Sequence, residues 1–562
     1  MKPKYIVIML LGIFILSAVL RFYKLGSVPY GFYQDESAIG YNALSILETG
    51  KDEYGKSFPL YFKSFGDYKL PIYIYSTVVS IAVFGLNEFA VRFPSTFFGF
   101  LTVIIFYFFV NELTKNKKLA LVATFLLAVN PWHLHYTRAT FEVSICLFLF
   151  VLGTWLLLLS FRKKIVGLFL LGTLCFILNL YTYNLTRLFS PVLYFYIILF
   201  YRKQFVKTPR IELVITTVTS IILLVPFVAT LLYSGGASSA KGTFLFTSSA
   251  VQASLLELRS YLVHTPSLFS KLFFNSLTLS FWQYLQNLVS YFSVSFFFIS
   301  GSPHGNHGMG NVGQFYLVEL PFMIYGVFVM LRQKLQYVYL LIGWGMLVIL
   351  IASLTRDVPH ATRSFFLIVP LVIFSAAGFL SVWNYLKKLN LRIRYVGIAF
   401  ILCIFAYNMV YYFTSYYIRF PVAYAKSWRS EDRTLSLFLK DNDGKYDKVI
   451  FDKQAGFVYT SLLFYLPYPP ATFQESVKRD PDDSEGFSNV SAFGKYFFRD
   501  IDWEHDLVQE KTLIISTKDN SPKGVPVLKV FTYPLRPIVL SVKEKIMQYP
   551  LEEDAYVAIE TQ

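Results

Sequence analysis

Two adjacent carboxylates, Asp35 and Glu36, stand just after the first hydrophobic stretch of a 562-residue chain in which acid is scarce. Up to residue 417 there are 13 Asp and Glu against 32 Lys and Arg. Charge next to hydrocarbon is costly and is kept mostly for function, so the pair asks for an explanation. A carboxylate can take a proton from a hydroxyl, and a cation can neutralise a phosphate leaving group. Lys69 and Arg138 supply such cations. Asp67, Glu142, Arg187, Arg356, Asp357, His360 and Arg363 complete the charged and titratable set expected on the same side of the membrane. They come from at least four separate loops, and the expectation is that these converge in a pocket at the outer face. Carboxylates beside several cations suit transfer from a lipid-phosphate donor.

Each residue also has a plainer reading. Asp35 stands where a helix can begin, and capping needs only a carboxylate. Successive helical residues point about 100° apart, so Glu36 need not face the site of its neighbour. Lys69 can snorkel from an interfacial helix. Arg138 and Glu142, four apart, share a helical face and can pair. His133 and His135 at i, i+2 do not share a helical face and have no third partner, which favours aromatic-belt packing over a metal site. His304 and His307, with His264 in the same segment, read as residues of a Gly-rich loop rather than as ligands. No metal ligands are assigned and no cofactor is certain, with a divalent metal left open.

Composition gives the class. With 55% hydrophobic and 19% aromatic residues the chain reads as an integral membrane protein. Its net charge of +16 is concentrated before residue 417, in loops between apolar runs, where it sets topology; no nucleic acid partner is expected. Cys146, Cys175 and Cys403 lie within apolar runs, which excludes a disulfide framework or a zinc motif. The first apolar run lacks a convincing cleavage site and is expected to remain as an uncleaved helix.

About eleven apolar runs are long enough to span, near 5–21, 94–113, 119–131, 143–161, 165–183, 189–201, 211–233, 315–331, 336–354, 364–383 and 394–417. With the N-terminus in the cytoplasm, six basic clusters, from Lys2 and Lys4 to Lys387, Lys388, Arg392 and Arg394, fall inside. The short outer loops keep only Arg138, Arg187, Arg356 and Arg363. Residues 70–86 break the alternation and are expected to lie at the outer interface, within a long loop of about 22–93; a true span there would reverse every later loop. A second outer segment, about 234–314, is expected to hold interfacial helices. Residues 1–417 thus form a transmembrane catalytic domain. Residues 418–562, with strand-like runs at 447–452, 512–517 and 527–534 and helical stretches at 434–440 and 456–466, form a small extracytoplasmic α/β domain.

The motifs and their order resemble a known family. Q-D-E-S-A-I-G-Y-N-A (34–43) is similar to the acidic motif opening the first outer loop of polyprenyl-phosphate-sugar-dependent GT-C glycosyltransferases. These include the protein O-mannosyltransferases and the lipid A aminoarabinose transferases. D-Y-K-L-P-I-Y-I-Y (67–75) with F-G-L-N-E-F-A-V-R-F-P-S (84–95) resembles a stretch of the aminoarabinose branch. N-P-W-H-L-H-Y-T-R-A-T-F-E (130–142) resembles the next outer loop, while Y-T-Y-N-L-T-R (181–187) and H-G-N-H-G (304–308) resemble features of the wider bacterial set. The likeness covers residues 5–200 well and the rest by architecture.

The resemblance implies a polytopic α-helical GT-C fold in the plasma membrane and a sugar donor linked to polyprenyl phosphate. It implies Asp35 as general base or acceptor-orienting carboxylate with Glu36 beside it, Lys69 and Arg138 at the donor phosphate, and an inverted anomeric centre. In the aminoarabinose branch an acid directly precedes the lysine; here that position is Tyr68, with Asp67 one residue earlier, which puts that branch's metal site in doubt. The acceptor, whether glycan, lipid or protein, is open. The competing reading is a transporter or flippase of a lipid-linked or envelope precursor. It fits less well, because the charges sit at the outer ends of spans rather than near the midplane, and no repeat is present.

Overall fold

A computed structural model describes residues 2–65, 67–163, 165, 167–233, 244–245, 249–261, 267–481, 488–522, 524–534, 540–542, 545–547 and 552–561. It divides into two compact units: Met1–Tyr23 with Ser95–Phe413, and Lys24–Pro94 with Thr414–Gln562. The expected boundary at 417 lies close to the start of the second unit's tail. However, the segment 24–94, expected to be a loop of the membrane domain, belongs to the same unit as that tail.

The first unit is helical. Among the described residues six helices are long and apolar enough to cross a membrane: Pro3–Phe22 (α1), Glu88–Thr114, Val143–Lys163, Arg210–Leu232, Phe365–Leu386 and Leu391–Ala423. The other expected spans are shorter pieces, including Leu168–Asn179, Thr186–Phe200 and Gln336–Ala352. Turns account for part of the shortening: residues 180–185 take up the end of the run expected at 165–183.

Close packing in this unit uses small residues, as is common where water offers no driving force between helices. Glu319–Arg332 and Ile368–Leu386 meet glycine to glycine. A Cβ at Gly326 would lie 1.9 Å from the carbonyl oxygen of Phe374, and one at Gly378 would lie 1.8 Å from that of Phe322. Two buried arginines tie helix ends together. Arg21, near the end of α1, donates to the Ala128 carbonyl at 3.0 Å, in the last turn of the helix Lys117–Val129. Arg138 in turn donates to the carbonyls of Leu20 and Arg21 at 2.8 and 2.9 Å. Each guanidinium thus meets carbonyls with no onward helical partner, at the negative end of a helix dipole.

The second unit is built around the helix Gln34–Thr49 (α2), whose residues from Glu36 to Ile46 are all buried. Gly50, at φ +69°, ends α2 in the left-handed conformation that glycine adopts without penalty. A short antiparallel hairpin follows, Phe62–Ser64 (β1) with Asp67–Lys69 (β2), pairing Phe62 with Lys69. The helix Pro71–Phe84 (α3) comes next; its 14 residues rise about 21 Å, less than the ~30 Å of a bilayer core.

The tail supplies a seven-stranded mixed sheet in the order Lys478–Arg479, Val490–Phe493, Tyr496–Arg499, Lys448–Asp452, Thr512–Thr517, Glu552–Glu560, Lys529–Pro534. The central strand Lys448–Asp452 runs parallel to both neighbours. The three strands and two helical stretches expected in the tail are all present, at nearly the expected residues.

α2 is fastened to the tail by apolar contact and by a row of polar bonds. A Cβ at Gly40 would come within 2.7 Å of the Phe464 ring, so only glycine permits this approach. Along α2, Ser37 donates to Thr460 (2.8 Å), Tyr41 donates to the Tyr468 carbonyl (3.0 Å), and Ser45 and Thr49 accept from Gln474 (3.0 and 3.2 Å).

Candidate functional site

Asp35 and Glu36 occupy the first turn of α2, where carboxylates are favoured by the helix dipole, and their side chains part company. Glu36 is fully buried and accepts from Arg92 through both oxygens, Nε to Oε1 and Nη2 to Oε2, each at 2.8 Å. Arg92 Nη1 donates to the carbonyls of Leu25 (3.2 Å) and Pro29 (3.0 Å), and Nη2 donates also to that of Gly31 (2.7 Å). Arg92 therefore folds residues 25–31 around itself and anchors α2 through Glu36. Sequence reasoning quoted Arg92 within the motif at 84–95 but gave it no role.

Asp35 keeps about a third of its side chain exposed, and its Oδ1 lies 2.8 Å from Nζ of Lys69, which is 5% exposed. Lys69 is the last residue of β2 and its ammonium also lies 4.4 Å from the centre of the Phe65 ring. The first predicted base and the first predicted phosphate contact are thus direct partners. Asp67 opens β2 opposite Ser64; its side chain lies outside the described residues.

Behind this pair is a buried polar network that sequence reasoning missed. Asn42 lies two turns beyond Asp35 on α2; its Nδ2 donates to Ser64 Oγ (2.9 Å) and Glu53 Oε2 (3.2 Å), and its Oδ1 accepts from the Glu53 amide (3.0 Å). Burial pushes the Glu53 carboxyl up to about 7, while the charges of Arg479 and Lys69 act to lower it. Glu53 follows Asp52, a second pair of adjacent carboxylates in a stretch poor in acid, and that pairing was the signal passed over.

The remaining predicted residues lie in the helical unit. Arg138 is buried and holds the end of α1 as described. Arg187 is half-buried, 5.6 Å from the centre of the Phe227 ring. Arg363 donates to Thr355 Oγ1 at 3.0 Å and to the Arg356 carbonyl. Burial pushes the Tyr183 phenol up, with Arg363 acting against the rise and Glu142 adding to it. His133, read as a packing residue, accepts from Arg21 at 2.6 Å, and His135 Nε2 donates to the Asn306 carbonyl at 2.8 Å.

His304 and His307, read as loop residues, meet His360, with ring centres 5.4 and 4.7 Å from it. Tyr136, Thr362 and His307 share hydrogen bonds of 2.9, 3.1 and 3.3 Å. Burial and the neighbouring His135, His304 and Arg363 hold His307 down to about 3, so this group is neutral near pH 7. Among the described residues no three His, Cys, Asp or Glu side chains are arranged to hold a metal ion. His264 lies outside the described residues. Of the expected set, Asp35, Glu36, Asp67 and Lys69 fall in one unit and Arg138, Glu142, Arg187, Arg356, Asp357, His360 and Arg363 in the other.

Residues 69–233 match the family model described as dolichyl-phosphate-mannose-protein mannosyltransferase. No curated protein matches the chain. Among solved structures, ArnT from Cupriavidus metallidurans in the apo state is similar over 98% of this chain and 97% of its own, with TM-score 0.55 at 12% identity. The same protein bound to undecaprenyl phosphate gives TM-score 0.53 at 13% identity, over 99% and 98% of the two chains. The archaeal oligosaccharyltransferase AglB from Archaeoglobus fulgidus, in complex with an inhibitory peptide and a dolichol-phosphate, gives 0.51 at 12% identity, over 92% and 70%. The chain has the GT-C fold, as its motifs imply.

Proposed function

We propose that this protein is a membrane glycosyltransferase that moves a sugar from a polyprenyl-phosphate-linked donor to an acceptor hydroxyl, with Asp35 as the base and Lys69 at the donor phosphate. The observation that carries the reading is the 2.8 Å pair of Asp35 and Lys69, set beside a Glu36 already committed to Arg92. Of two adjacent carboxylates, only Asp35 is both partly exposed and next to a cation that a phosphate can claim. The lipid-phosphate ligands in the names of the similar structures support the donor class.

In the proposed reaction the donor phosphate draws Lys69 away from Asp35, since an ammonium is a compact point charge suited to phosphate. The Asp35 carboxylate then accepts the proton of the acceptor hydroxyl. The hydroxyl oxygen bonds to the anomeric carbon as the bond from that carbon to the phosphate oxygen breaks. Polyprenyl phosphate leaves with the bonding electrons, its charge met by Lys69, and the anomeric centre inverts. Glu36 serves this step from behind, by fixing the start of α2 on Arg92.

Arg138 keeps its proposed place at the phosphate in addition to its helix-end contacts, and Asp67, Glu142, Arg187, Arg356, His360 and Arg363 are proposed substrate contacts. The proposed setting is the plasma membrane with a cytoplasmic N-terminus and an extracytoplasmic tail, from the distribution of basic clusters. The acceptor class, whether glycan, lipid or protein, is left to experiment. The test is incubation of purified protein with polyprenyl-phosphate sugars and a mixed envelope acceptor fraction, followed by mass spectrometry. Release of polyprenyl phosphate with a matching gain of one sugar on an acceptor supports the reading; sugar lipid that crosses vesicle membranes unchanged defeats it.

A further inference from the structure

Lys69 reaches Asp35 from a hairpin whose turn is held by the tail. Phe65, in that turn, has φ +41°, a region that a bulky residue occupies only where its surroundings hold it. Its amide donates to the phenolic oxygen of Tyr459 at 3.0 Å, and its ring packs on Phe457 at 4.9 Å between centres. Tyr459 is 1% exposed, lies in the tail helix Val458–Tyr465, and donates to Glu53 Oε1 at 3.4 Å. Glu53 is tied through Asn42 to Ser64, which pairs with Asp67 at the other side of the turn. The main chain of Glu53 accepts from Arg479 of the tail at 2.8 Å.

These contacts run in one direction. The tail hydroxyl satisfies the Phe65 amide and so helps to hold Phe65 in its unusual conformation. The turn sets the register of Phe62 opposite Lys69, and the Phe65 ring lies beside the Lys69 ammonium. We infer that Tyr459 is a positioning residue for Lys69: its hydroxyl, with the Glu53–Asn42 bridge, makes the tail domain part of the lipid-phosphate site rather than an appendage to it. The inference rests on the reading of Lys69 as the donor-phosphate contact.

The test is a double-mutant cycle on the 562-residue chain in detergent, with decaprenyl phosphate as the probe and its Kd as the readout. Circular dichroism is recorded for each variant. Lys69→Ala is expected to weaken binding at least tenfold. Tyr459→Phe, which removes one oxygen, is expected to weaken it about fivefold in the wild-type background and not at all in the Lys69→Ala background, the coupling usual for residues in one network. The same loss in both backgrounds, or no loss in either, overturns the inference and leaves the donor reading standing. Wild-type binding by Lys69→Ala overturns the donor reading and the inference with it. Should Tyr459→Phe fail to fold, Ser64→Ala, which cuts the Asn42 tie to the same turn, is taken through the same cycle against the same two outcomes.

Discussion

Glu36 gives both carboxylate oxygens to Arg92, 56 residues later in the chain, at 2.8 Å each and with neither side chain exposed. The pair explains how two neighbouring acids serve different ends: one is spent on the fold, leaving the other, about a third exposed, beside Lys69.

Removing one partner of a buried pair leaves the other charge uncompensated, at a cost of about 3–5 kcal/mol. Arg92→Ala is therefore expected to lower the thermal unfolding temperature sharply. Arg92→Lys is expected to rescue little, because an ammonium cannot match a bidentate carboxylate while also reaching three carbonyls. Fluorescence-detected melting in detergent measures both; a wild-type melt for Arg92→Lys would contradict the anchoring role.

Glu53 gives stability a dependence on pH. Its carboxyl is raised from 4.5 to about 7 by burial, so between those values the folded chain holds a proton that the unfolded chain has released. Stability therefore falls as pH rises through that window, by about 3 kcal/mol once the group is ionised. Asp52, also raised by burial, adds a slope of the same sign. Glu53→Gln is expected to flatten much of the decline in melting temperature from pH 4.5 to 7, and an unchanged slope would count against the buried-carboxyl account.

The Gly326–Gly378 contact leaves no room for a side chain on either helix. Gly378→Ala must push Ile368–Leu386 away from Glu319–Arg332, with an overpacking cost of about 1–3 kcal/mol or more. A lower melting temperature and a lower monodisperse yield are expected. Gly12→Ala, which meets nothing within 4 Å, serves as the control that should behave as wild type.

What the sequence made legible follows the strength of local signals. Long apolar runs and short continuous ones bounded by polar residues located Val143–Lys163, Thr512–Thr517 and Lys448–Asp452 closely, because hydrophobic patterning is written residue by residue. The apolar stretch near 165–183 was read too long, since a turn at 180–185 made of Leu, Tyr, Thr and Asn does not interrupt apolarity enough to show. Asp35 and Lys69 were singled out as site candidates by residue type and motif order. Their direct contact was not, nor was the commitment of Glu36 to Arg92, because long-range pairing leaves no spacing to read. The attachment of residues 24–94 to the tail was missed for the same reason: Ser37, Tyr41 and Ser45 look like ordinary helical polar residues until Thr460, Tyr468 and Gln474 are placed against them. Asn42 carries no mark in sequence that separates a buried network from a surface position.

The central claim is that Asp35 accepts the proton of the attacking hydroxyl, and it is tested most directly by comparing purified wild type with Asp35→Asn on a polyprenyl-phosphate sugar. Release of polyprenyl phosphate and binding of decaprenyl phosphate are measured on the same samples. The expected result is a loss of release by about 10²–10⁴-fold with binding retained. Release by Asp35→Asn at the wild-type rate would contradict the account.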